Sequence, residues 1–445
     1  MNIKSLLSRF FRGGRFSRHP RWSRIQVGAI AMIATLLAVS FGLVSQAQDE
    51  TVTISFLVRA VEAEQLQLLA DEFEAEHPNI RVDLVDGPNA SDDVENLYTT
   101  SFLLGDSPYD LVYADVVWIP KFAAAGWLED ISDRVSEDEL AEFLEADVVS
   151  GEYDGGLYRM PFRSDMGMLY YRTDLLEEAG IDPPDTFDEL IAAAEAVREQ
   201  DSSITGFVWQ GAQYEGLITN YVELLAGSGG FWIDPDTNEV GLDSEEALTA
   251  LEFMQTVIRE GITPGGVTNY REEESLRPFQ NGNALFLRNW PYVWAEANQE
   301  GSPVDGRIAL KPMVHAEGQS SAACLGGWGF GLVADSPHPD EAWEVVEYFT
   351  SAEAQKKFVL EYAYVPSRRD LFTDPDILAE FDHYEDLLEV AENTVPRPPV
   401  GQYAQVSDIL QRYLSAAITN QMSAERALEI AAGETRRVLG SGDDA

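Results

Sequence analysis

The pattern of apolar and polar positions predicts strands that alternate with helices. Residues 51–58 alternate between polar and apolar side chains and are rich in β-branched residues, which is typical of a strand. Leu66 and Phe73 then lie at helical spacing, and residues 80–85 and 110–114 predict two further strands. Because strands separated by helices favour parallel pairing, we predict an α/β fold with parallel sheets.

The same alternation continues along the rest of the chain. Thr186 and Glu189 have the spacing of a capping box at the beginning of a helix. We find no internal repeat and no long low-complexity linker, so lobes within this chain would be joined by short crossovers. Serine residues ahead of helical patterns predict further helix starts, at Ser91, Ser244, Ser351, Ser407 and Ser423.

The first 47 residues have the composition of an export signal. Seven basic and no acidic residues lie there, and an apolar run over residues 25–44 is followed by Ser45, Gln46 and Ala47. Signal peptidase accepts small residues at this spacing, and no Arg-Arg pair is present. We therefore predict Sec export to the periplasm with cleavage after Ala47. The alternative is an uncleaved anchor, since about 20 apolar residues can span a bilayer.

Composition and charge then narrow the range of partners. The 445 residues include 30 Lys and Arg against 77 Asp and Glu, which gives a formal net charge of −47. Binding to nucleic acid requires a cationic surface, so nucleic acid is excluded as a partner, and an anionic membrane surface is excluded for the same reason. Self-repulsion of such a surface favours a soluble monomer. The single cysteine, Cys324, excludes an intrachain disulfide and a cysteine-based metal centre.

The sequence lacks motifs for enzymatic chemistry, but its aromatic residues suggest a ligand-binding site. The chain has no HExxH, GxSxG or Walker A motif, and we predict neither a metal nor a cofactor. Trp290, Pro291 and Tyr292 follow a predicted strand, which places them at a strand–helix junction. The glycine-rich residues 326–331 indicate either a tight turn into a strand or backbone close to a ligand beside an exposed Trp328. Aromatic faces flanked by charged groups are typical of sugar sites.

Longer motifs carry a resemblance to a known family along essentially the whole mature chain. They are DVVW at 115–118, GMLYYR at 167–172, GFVWQG at 206–211, RNWPY at 288–292, LGGW at 325–328 and VPRP at 395–398. In these motifs the chain resembles the extracellular solute-binding proteins of ABC sugar importers, in particular the trehalose/maltose-binding group. The resemblance implies a binding protein without enzymatic activity, which delivers an α-linked disaccharide to inner-membrane permease subunits.

The resemblance also implies a two-lobed α/β fold like that of the maltose-binding proteins (type II), with the ligand in a cleft and several hinge crossovers. The first lobe would comprise residues 48–162 and 309–364. The second lobe would comprise residues 163–308 and 365–440.

The same resemblance implies ligand-binding roles for individual residues. Sugar hydroxyls would be accepted by the carboxylates of Glu62, Asp115 and Asp165. Stacking rings would come from Trp290, Tyr292 and Trp328. Further contacts would come from the backbone of Gly327, from paired hydrogen bonds donated by Arg397, and from Tyr214.

The chain departs from the family pattern at two places. Arg163 stands where similar proteins carry an aromatic residue, two positions before the cleft aspartate, and we include it among the ligand-binding candidates. Similar proteins also carry arginine in the helix around Val94 and Glu95. Both changes touch the expected sugar site, so we expect them to affect which disaccharide is bound.

Two other functions stay open on the residues themselves. A secreted glycoside hydrolase would use a pair of cleft carboxylates such as Asp115 and Asp165, placed on either side of one glycosidic bond. A ferric-ion binder would use Tyr170 and Tyr171, although adjacent strand residues point to opposite faces of a sheet.

Overall fold

The strands form two larger sheets and two small ones in this computed structural model, which describes residues 51–105, 107–235, 237–381, 383–392 and 394–440. The predicted signal segment and its cleavage site lie outside the described residues. The strands are β1 (Val52–Arg59), β2 (Ile80–Gly87), β3 (Leu111–Asp115), β4 (Glu152–Tyr153), β5 (Gly156–Leu157), β6 (Met160–Met166), β7 (Met168–Arg172), β8 (Thr205–Val208), β9 (Ala284–Asn289), β10 (Ile308–Lys311), β11 (Ala323–Leu332), β12 (Val365–Pro366) and β13 (Thr394–Val395).

Helices separate most of these strands, which confirms the predicted α/β class. They are α1 (Ala60–Glu76), α2 (Ser91–Leu104), α3 (Ile119–Ala124), α4 (Glu137–Leu140), α5 (Glu145–Val149), α6 (Thr173–Ala179), α7 (Phe187–Gln200), α8 (Glu215–Ala226), α9 (Glu245–Arg259), α10 (Glu272–Gln280), α11 (Val293–Ala297), α12 (Pro339–Phe349), α13 (Ala352–Tyr362), α14 (Pro375–Glu380), α15 (Tyr384–Glu392), α16 (Tyr403–Ile418) and α17 (Ala424–Leu439).

The prediction of parallel sheets is wrong for the two larger sheets, which are mixed. In the five-stranded sheet β11 pairs antiparallel with both β6 and β3, and only its pairing with β13 is parallel. In the four-stranded sheet β7 pairs antiparallel with β9 and β10, whereas β8 and β9 are parallel. Helical crossovers favour parallel pairing only between strands that become neighbours, and β3 instead takes as its neighbour a strand from far along the chain.

Side-chain caps begin several helices where the sequence predicts them. Thr186 and Glu189 form the predicted capping box, and Ser244, Ser351 and Ser423 each accept a hydrogen bond from a backbone N–H of the first turn. Ser407 is not a cap, because α16 already begins at Tyr403. The Ser407 hydroxyl instead donates to Glu215, at 2.6 Å from its Oε2. A prediction based on local pattern cannot anticipate this long-range acceptor.

Aromatic rings fill the core beneath the five-stranded sheet. Phe330 of β11 lies edge-on to Phe56 of β1, with ring centroids 5.6 Å apart, and packs 5.4 Å from Phe349 of α12. Phe162 of β6 packs against the same ring at 5.5 Å. All four rings are buried, so they join β1, β6, β11 and α12 into one packed unit.

The chain passes from the five-stranded to the four-stranded sheet through the single residue Gly167, between β6 and β7. A Cβ atom at this position would overlap the side chains of Glu223 and Arg288. Those two residues form an ion pair with no exposed side-chain surface, in which Arg288 Nε lies 2.8 Å from Glu223 Oε2. The crossover therefore requires glycine at 167. The lobe boundaries stay predictions.

No helix in the described ranges combines the length and the apolar character needed to cross a membrane.

We predict that Gly167→Ala lowers the free energy of unfolding by about 2 kcal/mol or more, because the new methyl group must displace the buried Glu223–Arg288 pair. Chemical denaturation of the purified protein measures the change. Gly433→Ala is the matched control, since a Cβ on Gly433, within α17, would extend into open space. We expect the control to stabilise the protein by about 0.5–1 kcal/mol. Equal stability of Gly167→Ala and wild type would contradict the required close approach.

Candidate functional site

A cavity of about 530 Å³ lies where β3, β6 and β11 meet the beginning of α8 and the β9–α11 junction. Its volume is within the range of small-molecule sites. Nine of the ten predicted ligand-binding residues line it, namely Asp115, Arg163, Asp165, Tyr214, Trp290, Tyr292, Gly327, Trp328 and Arg397. The tenth, Glu62, lies behind the wall and has no exposed surface. The elements thus bring together residues that are far apart in sequence.

Glu62 holds two arginines in the cavity wall rather than facing the cavity. It lies in the first turn of α1, where its carboxylate accepts hydrogen bonds from Arg59 Nε at 2.8 Å and from Arg163 Nη2 at 2.5 Å. Although burial acts to raise the pKa of Glu62, the guanidinium groups of Arg59 and Arg163 together lower it to about 2. The carboxylate is therefore ionised at neutral pH.

Arg163 of β6 occupies the inner part of the cavity and is held on several sides. Besides Glu62, it forms an ion pair with Asp165 and donates from Nε to the Tyr113 hydroxyl at 3.1 Å. Its guanidinium carbon lies 4.5 Å from the ring centroid of Tyr364. A side chain with this many partners is fixed in place, so Arg163 shapes the cavity.

Asp165 has one oxygen left over after it binds Arg163. Its Oδ1 is buried and has no hydrogen-bond partner among the described residues. Burial raises the pKa of Asp165, against the opposing effect of the Arg163 charge. Because an unpaired buried acceptor is costly, Oδ1 is suited to accept a hydrogen bond from a ligand hydroxyl.

Arg397 bridges two carboxylates that line the cavity. Its Nη1 lies 2.7 Å from Glu215 Oε1, at the beginning of α8, and its Nη2 lies 3.0 Å from Asp115 Oδ1, at the end of β3. Its Nε is buried and has no hydrogen-bond partner among the described residues. Arg397 is therefore oriented by protein carboxylates and has one buried donor without a protein partner.

The predicted strand–helix junction is confirmed at Trp290 and Tyr292, which lie between β9 and α11. Both rings are half-buried, so each presents a face to the cavity. The Tyr170 hydroxyl lies 3.1 Å from the carbonyl oxygens of both Trp290 and Pro291, so its single proton is shared between them. The Arg288 guanidinium packs 4.2 Å from the centroid of the Trp290 ring. The Tyr170 hydroxyl and the Arg288 guanidinium thus hold the junction in place.

Trp328 differs from these rings because it is only 4 % exposed. The Arg59 guanidinium lies over it at 4.7 Å, and the Tyr113 ring packs against it at 5.0 Å. The interpretation that placed an exposed tryptophan here is therefore wrong for this conformation. Its predicted stacking role stays a prediction, and it requires Arg59 to move aside.

The glycine-rich residues lie inside β11 rather than at a turn into it, so that alternative is wrong. A Cβ on Gly326 would lie 3.1 Å from the Trp290 ring and 3.0 Å from Asp165 Cβ. Gly327 has a φ of +126°, and a Cβ there would lie 2.8 Å from the Arg163 carbonyl oxygen. Glycine is required at 327 by the positive φ and the close approach, whereas a methyl group at 326 would need its neighbours to shift by a few tenths of an ångström.

Several cavity residues were missed by the sequence reasoning. Glu215 directly follows the candidate Tyr214, and that adjacency is the signal by which it could have been found. Arg59 and Tyr364 are part of no motif, and only their long-range partners identify them. Of the two departures from the family pattern, Arg163 lines the cavity, whereas Val94 and Glu95 do not. Val94 is buried, and Glu95 forms an ion pair with Lys121 at 2.8 Å.

The arrangement is unfavourable for the other two functions. Asp115 and Asp165 are each bound to an arginine, whereas a glycosidase needs one carboxyl group as a proton donor. The Tyr170 hydroxyl is committed to backbone carbonyls, so it is not placed for a ferric ion. In the described ranges no group of three or more His, Cys, Asp or Glu is arranged to hold a metal.

Comparison with known proteins gives consistent results. Residues 59–356 match the family model described as bacterial extracellular solute-binding protein. A probable ABC transporter-binding protein of Deinococcus radiodurans is 33 % identical, over 91 % of this chain and 98 % of that protein. A maltotriose-binding protein of Pyrococcus abyssi is 28 % identical, over 71 % of this chain and 66 % of that protein.

A solved structure is similar over nearly the whole described chain. The maltose-bound MalE3 of T. maritima superposes with a TM-score of 0.83 at 36 % identity, covering 87 % of this chain and all of the other. This likeness confirms the two-lobed α/β fold.

We predict that Glu62→Gln lowers the free energy of unfolding at neutral pH by about 3 kcal/mol, because Arg59 and Arg163 lose their shared buried countercharge. The pKa of Glu62 is lowered on folding from 4.5 to about 2, so its stabilising effect is present above pH 4.5 and is lost as the pH falls towards 2. Denaturation across this pH range should show the difference between wild type and variant shrinking.

Glu429→Gln provides the control for this prediction. Glu429 pairs with Arg426 on the exposed face of α17, where an ion pair contributes about 0.5 kcal/mol or less. A Glu62 variant as stable as this control would contradict the proposed countercharge.

Proposed function

Given that this chain belongs to the bacterial extracellular solute-binding protein family and is the substrate-binding component of an ABC sugar transporter, we propose that its cleft binds an α-linked disaccharide of the maltose or trehalose type. The observation that carries this proposal is the pairing of half-buried rings with unpartnered polar atoms. Trp290 and Tyr292 offer apolar faces, while Asp165 Oδ1 and Arg397 Nε each lack a partner among the described residues. A pyranose needs both kinds of contact.

The charges of the cavity wall favour a neutral ligand. Arg59, Arg163 and Arg397 each contact at least one carboxylate, so none of these three is left to neutralise an anionic solute. The remaining donor and acceptor positions suit hydroxyl groups. The relatives support this class, since one is named as a maltotriose-binding protein and one solved neighbour holds maltose.

Ligand contacts with both larger sheets would drive closure of the cleft. Asp115 and Asp165 belong to strands of the five-stranded sheet, whereas Trp290 and Tyr292 follow β9 of the four-stranded sheet. A sugar that touches both groups favours the closed state, because only differential affinity shifts such an equilibrium. No bond is made or broken. A disaccharide of about 23 heavy atoms, at about −0.3 kcal/mol per atom, would bind with micromolar affinity.

Export and delivery complete the proposal. The predicted signal segment would be cleaved after Ala47, and the mature protein would act in the periplasm as a monomer that docks on the inner-membrane permease subunits. Edman sequencing of the exported protein should begin at Gln48. Retention of the apolar segment 25–44 in the membrane fraction would instead indicate an uncleaved anchor.

The first test is calorimetric titration of the mature chain with maltose, trehalose, sucrose and glucosylglycerol. We expect micromolar binding to one or two of these sugars and no release of glucose on prolonged incubation. If the folded protein gave no heat of binding with any of these sugars, the disaccharide proposal would be contradicted. Sustained glucose release that depends on Asp115 or Asp165 would contradict the absence of catalysis.

We predict that Asp165→Ala weakens binding of the preferred sugar at least tenfold, or by about 1.4 kcal/mol, because the acceptor Oδ1 is lost. Trp290→Ala should weaken it comparably through the lost ring face. Asp305→Ala is the control, since Asp305 is exposed and does not line the cavity. Wild-type affinity in the Asp165 variant, measured by the same titration, would remove that residue from the site.

A further inference from the structure

We propose that Glu215 is a positioning residue that orients Arg397 for the ligand and makes sugar affinity depend on pH. This inference rests on the proposed sugar-binding function of the cleft. The sequence motifs assigned no role to Glu215. Its position in the cavity wall became apparent only from the structure. The proposal stands on the geometry around its carboxylate.

The Glu215 carboxylate connects the cavity to helix α16. Its Oε1 accepts hydrogen bonds from Arg397 Nη1, at 2.7 Å, and from the Tyr403 hydroxyl. Its Oε2 accepts a hydrogen bond from Ser407, at 2.6 Å. Tyr403 and Ser407 lie one turn apart on α16, so they hold both oxygens of Glu215 in a fixed orientation.

The fixed carboxylate in turn determines where the Arg397 guanidinium lies. Asp115 holds Nη2 and Glu215 holds Nη1, so the plane of the guanidinium is set from two sides. Nε then remains as the unpartnered donor of a side chain that lines the cavity. Without Glu215 the guanidinium keeps contacts through Nη2 alone, to Asp115 and, at 3.4 Å, to the Leu325 carbonyl oxygen, and Nη1 is no longer held.

The surroundings of Glu215 place its titration near neutral pH. Burial raises the pKa of Glu215 to about 7, against the opposing effect of Arg397, and the nearby Asp92 carboxylate raises it further. The titratable and charged groups that interact with it are Asp92 and Glu95 on α2, Cys324 on β11, Tyr403 on α16, and Arg397. Acidification below pH 7 therefore protonates Glu215 and weakens its hold on Arg397.

The experiment compares sugar affinity of wild type and Glu215→Gln at about pH 8 and about pH 6, by calorimetric titration with the sugar that binds best. We expect the wild-type Kd to rise several-fold on acidification. Glu215→Gln keeps the shape of the side chain but cannot ionise. Its Kd should be about tenfold higher at the alkaline pH and nearly the same at both pH values.

Two further variants separate positioning from a general loss of structure. Ser407→Ala should give an intermediate affinity, because it removes one of the contacts that orient Glu215. Asp147→Asn should keep the wild-type pH dependence. Burial also raises the pKa of Asp147 to about 7, but Asp147 does not line the cavity and does not contact Arg397. A loss of pH dependence in Asp147→Asn would overturn the assignment to Glu215.

A measurement without ligand tests the inference even if none of the sugars binds. The ¹⁵N–¹H signals of the Arg397 guanidinium, assigned with Arg397→Lys, should show restricted rotation in wild type and lose it in Glu215→Gln. Signals unchanged by the substitution would overturn the positioning role. No sugar binding by a wild type with these restricted signals would contradict the disaccharide proposal and leave the positioning role supported.

Discussion

The cleft depends on one interaction: the arginines of its wall that are wholly or partly withdrawn from solvent are held by carboxylates. Arg59 and Arg163 share Glu62, and Arg397 lies between Asp115 and Glu215. Each of these pairs joins different elements of the fold, so the same contacts that compensate buried charge also fix the cleft wall. The ligand then meets side chains that are already oriented, and little ordering remains to oppose its binding.

Local sequence patterns predicted much of the molecule. Helix starts at Ser244 and Ser351 depend on neighbouring residues, and so does the junction at Trp290. Nine of the ten candidates that the motif resemblance identified line one cavity. The partners of those candidates were not predictable, because Asp115 and Arg397 are 282 positions apart and a sequence does not show their contact. The position of Glu62 behind the cavity wall was not predictable either, because it depends on the contact of Glu62 with the distant Arg163.

The antiparallel pairing in the two larger sheets was not predicted, because strands that are adjacent in a sheet are often not consecutive in the sequence. β3 pairs with β11, so the helices that follow β3 do not decide how it pairs. Ser407 shows the same limit on a smaller scale, since its acceptor is 192 residues away. Close packing adds a further constraint, because β11 passes so near to the Arg163 carbonyl oxygen that only glycine fits at 327.

The one-residue crossover at Gly167 has a mechanical consequence. Two sheets linked by so short a tether cannot drift apart, because a single residue spans less than about 4 Å. The freedom left at such a joint is torsional. Asp165 lies two residues before the joint, and Tyr170, which supports the Trp290 backbone, lies three residues after it. A torsional change at Gly167 would therefore turn Asp165 and the Trp290 backbone relative to each other, and both residues line the cavity.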